Sequence, residues 1–450
     1  MKTPYSRKRM TVLAGFLALI FTIVPADFGQ GTATSLATQT ALVTEMDVNG
    51  LKVLFKRRPN SQTVAAGLFI RGGARNLTAE TAGIESFALN VAAEGGVKFP
   101  RAALRRELAR TGSNIGAGSN YDFSALSLAS TRQNFDRSWE IFTDIALNPA
   151  FASEDVELTR EKLLTGLRSI DDVPDSQLQK LVDKTILGKT QYGNDPNGTI
   201  ESISRLTAAD LRSYHKKLME TSRLVLVIVG DLDAEHIRRL ATASFGKLSR
   251  GNYKESAVPV LDFSRPTLDI TQRSLPTNYV NGIFAAPALN DPDYSAMRVA
   301  VSILRDRVFE EVRVKRNLSY APSADMGSIA ANTGAIYVTA VDANQAVSLM
   351  LREIESLKTT PVTDSEISGI SGQFLTTYFV SGETNGAQAA ELARYELTGG
   401  GWRRAFEYLP HVREVKPADI QAVAKKYMRN LRFIVVGDPA AIDRAIFLPN

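Results

Sequence analysis

Chemistry at a peptide, ester or phosphate needs a nucleophile, a base or an ion, and this sequence offers few residues for any of them. It has no cysteine, which excludes disulfides, thiolate metal sites and cysteine nucleophiles. Its three histidines, His215, His236 and His411, are isolated, and no two lie within five residues. Zinc hydrolases usually take two histidines from one helical turn, because positions four apart on one face reach a common ion. Neither His-Glu-x-x-His nor the inverted His-x-x-Glu-His occurs. His215 sits beside Lys216 and Lys217, His236 follows Asp233 and Glu235, and His411 follows Pro410, so each reads as a surface or capping residue. No Asp/Asn-rich loop has calcium or magnesium ligand spacing. The Gly-x-Ser-x-Gly elbow and the Walker-type loop are both missing. Gly112 to Gly118 (GSNIGAG) is glycine-rich, but it follows a helix and precedes a strand, the reverse of what a dinucleotide loop requires. It reads as a turn, as do Asn197-Gly-Thr199 and Gly399 to Gly401.

The elements that would position any site are ordered in an internal repeat. Leu206 to Met219, then Arg223 to Asp231, is echoed by Val415 to Met428, then Arg432 to Asp438. Each copy reads as an amphipathic helix, a buried strand and a Gly-Asp turn. The offset is 209 residues from Asp210 to Asp419 and 207 from Gly230 to Gly437. A second echo pairs Trp139 to Pro149 before Ser153 with Met350 to Pro361 before Thr363. Within the first copy, Leu51–Phe55, Val64–Ile70 and Phe123–Ala129 read as strands. Ala82–Glu94, Arg101–Arg110, Phe135–Leu147, Glu154–Ile170 and Ser176–Leu187 read as helices. Strands come in pairs and helices in runs. The expected class is therefore α+β: two homologous domains, each a mostly antiparallel sheet with helices packed on it. The expected division is 40–248, a linker at 249–266, and 267–450. The pairing of Leu36–Asp47 stays open.

Composition is that of a globular protein, 44% apolar and 22% charged. Of the net charge of +5, four basic residues (Lys2, Arg7, Lys8, Arg9) precede position ten, and without them 49 basic face 48 acidic residues. A nucleic-acid binder carries its basic surplus on the folded body, and none is visible. Lys2–Arg9, the uncharged run Met10–Val24 and the small residues Val24 and Ala26 read as a cleavable signal at 1–26. The run is about 15 residues, short of the roughly 20 of a spanning helix. The expected location is the periplasm, with no stable membrane insertion after cleavage.

Three segments carry a resemblance. Asn49-Gly-Leu-Lys-Val53, Ala66-Gly-Leu-Phe-Ile-Arg-Gly-Gly-Ala-Arg75 and Thr81-Ala-Gly-Ile-Glu-Ser-Phe-Ala-Leu-Asn90 together resemble the pitrilysin/insulinase family of inverzincin metallopeptidases. The match is closest to its two-domain, processing-peptidase-like branch and spans essentially the whole mature chain. The resemblance implies two α+β domains of one type. It also places the family's His-x-x-Glu-His at Ser86, Leu89 and Asn90, and its third ligand at Arg168, seven positions after Glu161. All four ligand and base residues are thus replaced, and Arg168 puts a positive charge where the ion would sit. The segment Phe309-Glu-Glu-Val-Arg313-Val-Lys-Arg-Asn-Leu-Ser-Tyr320 looks like the one that carries the family's substrate-binding Arg and Tyr. Seven residues make two helical turns, so Arg313 and Tyr320 share a face if the helix persists. A guanidinium and a phenol are donors that can hold a peptide carbonyl. On periodicity alone the segment is also an ordinary helix whose Glu310, Glu311, Lys315 and Arg316 pair in solvent. The glycine-rich stretch that relatives often carry before it is replaced by Ser302–Arg307.

The resemblance implies a non-catalytic subunit of a heterodimeric zinc metallopeptidase, with no metal of its own. A homologous partner would bring His-x-x-Glu-His and zinc, and this chain would bring Arg313, Tyr320 and half of a chamber for an unfolded peptide, bound by strand addition at a sheet edge. The alternatives are an inactive homologue with a structural or peptide-binding role, and an independent enzyme with an unrecognised site.

Overall fold

The computed structural model describes residues 39–448 of the chain, so the expected signal at 1–26 lies outside the described residues. Six strands form the first sheet: β1 (Val43–Val48), β2 (Leu51–Arg57), β3 (Thr63–Arg71), β4 (Asn114–Ser119), β5 (Phe123–Thr131) and β6 (Leu224–Gly230). Their order is β1-β2-β6-β3-β5-β4, with β2 and β6 parallel and all other neighbours antiparallel. The helices of this half are α1 (Ile84–Ala92), α2 (Arg101–Thr111), α3 (Phe135–Leu147), α4 (Ser153–Ser169), α5 (Pro174–Leu187), α6 (Ile200–Arg205), α7 (Ala208–Leu218) and α8 (Ala234–Phe245).

Residues 249–266 contain neither helix nor strand. Beyond them the plan recurs without β1. Strands β7 (Thr267–Gln272), β8 (Asn278–Ala285), β9 (Ser323–Met326), β10 (Thr333–Ala340) and β11 (Arg432–Gly437) take the order β7-β11-β8-β10-β9, again with one parallel pair, β7 and β11. The helices are α9 (Tyr294–Val308), α10 (Ala343–Thr359), α11 (Asp364–Ser381), α12 (Asn385–Thr398), α13 (Tyr408–Glu414), α14 (Pro417–Tyr427) and α15 (Arg444–Phe447). The class is α+β, two mixed sheets carrying helices.

The repeated residues have local reasons to recur. Asp210 and Asp419 accept the backbone N–H three residues upstream, from Thr207 at 2.8 Å and Lys416 at 2.9 Å, and so close the first turns of α7 and α14. Gly230 and Gly437 end the central strands where a neighbouring strand crowds them. A Cβ would meet Val64 Cγ2 at 2.8 Å in one and Asn278 Oδ1 at 2.1 Å in the other. Every residue of β6 is buried because its sheet is covered on both faces.

The second covers are exchanged. One face of the first sheet packs on α3 and α8 through Phe135, Trp139, Phe142 and Phe245. The other, bearing Leu54, Val225 and Val227, is covered by Ala389, Leu392 and Ala393 of α12, from the second half. Reciprocally, Ile283, Ile434 and Val436 of the second sheet lie under Leu178, Val182 and Ile186 of α5, from the first. Polar pairs fix both covers. Asn385 at the start of α12 donates to Thr63 O at 2.6 Å, Lys52 meets Glu396 at 2.6 Å, and Arg273 donates to Asp171 O at 2.8 Å beside α5. A boundary near residue 248 therefore separates the sheets but not their cores.

Two expectations need correction. Gly112 does cap α2 in the left-handed conformation, but residues 114–119 are not part of a turn. They form β4, an edge strand paired to β5 alone. His215 is buried, not on a lysine-rich surface. It lies on the inner face of α7, beside the ring of Phe151, with Nε2 2.9 Å from Ala146 O.

Candidate functional site

Helix α1 carries three of the four positions of the metal motif, and its start is fixed by close packing. Gly83 has φ 79°, and a Cβ there would sit 2.7 Å from Gly198 Cα, so only glycine fits. Ser202 Oγ donates to Ala82 O at 2.8 Å and holds the same corner. Ser86 is buried. Asn90 Nδ2 donates to Ser86 O at 2.8 Å, one turn back, so these two residues satisfy each other. Leu89 has no exposed surface and packs with Leu68, Ile70 and Leu126 in the sheet core. Helix α4 packs against α1. Arg168, in the last turn of α4, is exposed and makes no side-chain hydrogen bond or ion pair among the described residues; Glu161 is exposed likewise.

The donors at these positions are a hydroxyl, a hydrocarbon, an amide and a guanidinium. None is an imidazole, thiolate or carboxylate, and the set does not fit zinc. Among the described residues no group of three or more His, Cys, Asp or Glu converges anywhere.

Beside Ser86 the structure reveals a buried cluster that sequence reasoning missed. The Glu85 carboxylate, 1% exposed, accepts from Tyr214 Oη at 2.8 Å and from Arg223 Nη2 at 3.4 Å, while its Oε1 has no partner. Burial pushes the Glu85 carboxyl above its ordinary value, against the opposing charge of Arg223. Arg223 also donates to Arg71 O at 3.1 Å and lies 4.6 Å from the centre of the Tyr253 ring. The cluster ties α1 to α7 and to the strand ends. Its only sequence signal was a charged residue inside an apolar helix.

Arg313 and Tyr320 lie in the other half. Helix α9 runs to Val308, so Ser302–Arg307 is helix and not a loop. A π-helical turn follows at Phe309–Val314, and Asn317 then takes φ 51° and ends it. The helix does not persist to Tyr320, yet the pair meets. The Arg313 guanidinium lies over the Tyr320 ring at 4.8 Å from its centre, and Arg313 Nη1 donates to Asn317 Oδ1 at 2.6 Å. Tyr320 is 79% exposed, and Phe309 and Val314 are exposed beside it. Lys315 and Arg316 both pair with Glu311, the solvated pairing expected of an ordinary helix face. Neither Arg313 nor Tyr320 hydrogen-bonds to α1 or α4; their segment packs on α9 and α10 of its own half. The chain thus presents a donor pair to solvent and leaves its metal-motif positions without ligands.

Residues 52–199 match the family model "Insulinase (Peptidase family M16)", and residues 205–373 match "Peptidase M16 inactive domain". An uncharacterised zinc protease of Mycobacterium leprae is 23% identical over 93% of this chain and 96% of its own length. The mitochondrial-processing peptidase subunit beta of Saccharomyces cerevisiae is 20% identical over 89% of this chain and 92% of its own. The fold is shared with the crystal structure of a peptidase M16 inactive domain from Pseudomonas fluorescens, at TM-score 0.78, 18% identity, 88% of this chain and 98% of that one.

Proposed function

Because the chain belongs to the insulinase family, peptidase family M16, as an inactive-type, peptidase-like protein, we propose that it is the non-catalytic subunit of a heterodimeric zinc metallopeptidase. On this reading a homologous partner with His-x-x-Glu-His holds the zinc. This chain contributes Arg313, Tyr320 and half of the chamber around an unfolded peptide. The observation that carries it is the stacked Arg313–Tyr320 pair, Tyr320 exposed and Arg313 half-buried, in a chain whose ligand positions are Ser86, Leu89, Asn90 and Arg168.

With one guanidinium nitrogen occupied by Asn317, the other N–H groups of Arg313 and the phenol of Tyr320 remain free to donate to a carbonyl oxygen on which charge develops. Strand β4 supports a place for the peptide backbone. It is an outer edge, and at Gly118 a Cβ would meet nothing within 4 Å. The mature chain starts near Asp27 and resides in the periplasm, which N-terminal sequencing of soluble periplasmic material checks.

Co-purification from the native host, followed by mass spectrometry and a peptide-cleavage assay, tests the reading. The expected result is a homologous chain bearing His-x-x-Glu-His, with activity only when both chains are present. A chain that purifies alone and that no such homologue engages overturns it, and leaves the structural or peptide-binding role.

A further inference from the structure

A cleft of about 1150 Å³ lies between α9, α11, α12 and α13, and its floor comes from β2 and β5 of the other half. It exceeds the roughly 300–1,000 Å³ usual for small-molecule sites. Its walls include the rings of Phe123, Phe374, Tyr378, Phe379, Phe406 and Tyr408. Phe379 is 63% exposed at the C-terminal end of α11, where apolar surface reaches solvent.

The cleft is rich in cations, and one that is buried, Lys56, has no partner among the described residues. Arg58 is held by Glu383 O at 2.5 Å and Asn385 Oδ1 at 3.0 Å, and Arg394 by Glu391 at 3.1 Å. Lys56, by contrast, is 9% exposed and has no side-chain hydrogen bond or ion pair among the described residues; the Phe406 ring lies 5.1 Å away. Arg298, unlike Lys56, is engaged: it lies over Phe374 at 5.8 Å and its guanidinium donates to the Tyr408 hydroxyl, although its buried Nε is left over. Burial, with the charge of Arg58, pushes the Lys56 ammonium down to about 8. A buried charge without a counter-ion is costly, and an anion delivered into the cleft relieves that cost. Aromatic rings around a buried cation without a counter-ion define the ligand.

We propose that this cleft binds an apolar carboxylic acid, its chain against the aromatic rings and its carboxylate paired with Lys56. A fatty acid and the C-terminal end of an apolar peptide share this chemistry. The inference stands apart from any peptidase role, since none of these residues belongs to the Arg313–Tyr320 segment or to α1.

Isothermal titration of the full mature chain tests it, with dodecanoate, 1-dodecanol, an apolar hexapeptide and the C-terminal amide of that peptide as probes. The expected result is saturable binding of dodecanoate or of the free-acid peptide, at least about tenfold tighter than its neutral counterpart, which is the scale of one charge-assisted contact. Lys56→Met should abolish that preference without weakening the neutral probe, and Lys56→Arg should retain it. Preference for dodecanoate alone identifies a lipid-like ligand, and preference for the acid peptide alone a peptide end. Equal affinity for acid and neutral probes, a preference that survives Lys56→Met, or no binding by any probe overturns the proposal. Circular dichroism of Lys56→Met separates misfolding from loss of the site, and if that variant fails to fold, Lys56→Gln carries the same comparison.

Discussion

The guanidinium of Arg313 rests on the ring of Tyr320, 4.8 Å from its centre, although the helix that carries Arg313 ends before Tyr320 is reached. Asn317 makes the contact possible twice over. Its left-handed backbone turns the chain back, and its side chain accepts from Arg313. A donor pair held this way is preorganised, with Tyr320 exposed, Arg313 half-buried and no carboxylate paired with the arginine among the described residues.

The first prediction follows. In a reconstituted heterodimer, Arg313→Ala and Tyr320→Phe should each lower kcat about 100- to 1000-fold, or roughly 3–4 kcal/mol, the usual loss for an oxyanion donor. Assembly, read by size-exclusion chromatography, and partner zinc content should be unchanged. Arg316→Ala should matter little, since its pairing with Glu311 is at the surface. Wild-type turnover in both variants, within an intact complex, would show that the pair is not used.

Metal content gives the second. The purified chain should hold no stoichiometric zinc by elemental analysis after dialysis against a weak chelator. Reinstating the motif should also be expensive in stability. Leu89→Glu places a carboxylate at a position with no exposed surface and should lower unfolding stability by about 2–4 kcal/mol in urea titrations. One zinc per wild-type chain would contradict the first half of this, and an unchanged urea midpoint the second.

Acid sensitivity gives the third. Burial depresses the His215 pKa from 6.5 to about 4, so the folded protein keeps the ring neutral while the unfolded chain protonates it. Between pH 6.5 and 4 the unfolded state binds the extra proton, and stability falls as pH falls. The loss attributable to His215 is about 2 kcal/mol at pH 5 and is absent above pH 7. His215→Gln keeps a donor for Ala146 O without the titration. Its stability should therefore fall less than that of the wild type between pH 7 and pH 5. Parallel curves from chemical denaturation would refute this.

How much was readable in advance depended on where the determining contacts lie. The span of α3 was legible at both ends, because its apolar period is local and its stop is set by Asn148 and Pro149. The paired halves were legible because the capping Asp210 and Asp419 and the crowded Gly230 and Gly437 serve needs within a few residues or one strand away. Strand β4 was not. In Asn-Ile-Gly-Ala-Gly-Ser only Ile115 and Ala117 face the core, between glycines that favour turns, and pairing with β5 makes it a strand. His215 misled because Lys216 and Lys217 flank it, while its burial comes from Phe151 and the end of α3, 69 residues earlier at Ala146. Arg313 and Tyr320 were singled out only by the family resemblance of their segment, and the route between them runs through a turn and not along a helix. Lys56 was invisible, since its cleft exists only when α12 crosses to the other sheet.

That crossing fixes what is able to swing. Pulling the two sheets apart would strip α12 from Leu54 and Val227 and, in the same motion, α5 from Ile283 and Ile434, baring two apolar faces together. Ordinary domain motion avoids such exposure and works at small polar contacts. The 249–266 connection is consequently no hinge, despite its lack of secondary structure. Separation of the two sheets thus costs the burial of both faces at once, and an opening motion is cheaper at a surface where this chain meets another molecule than within it.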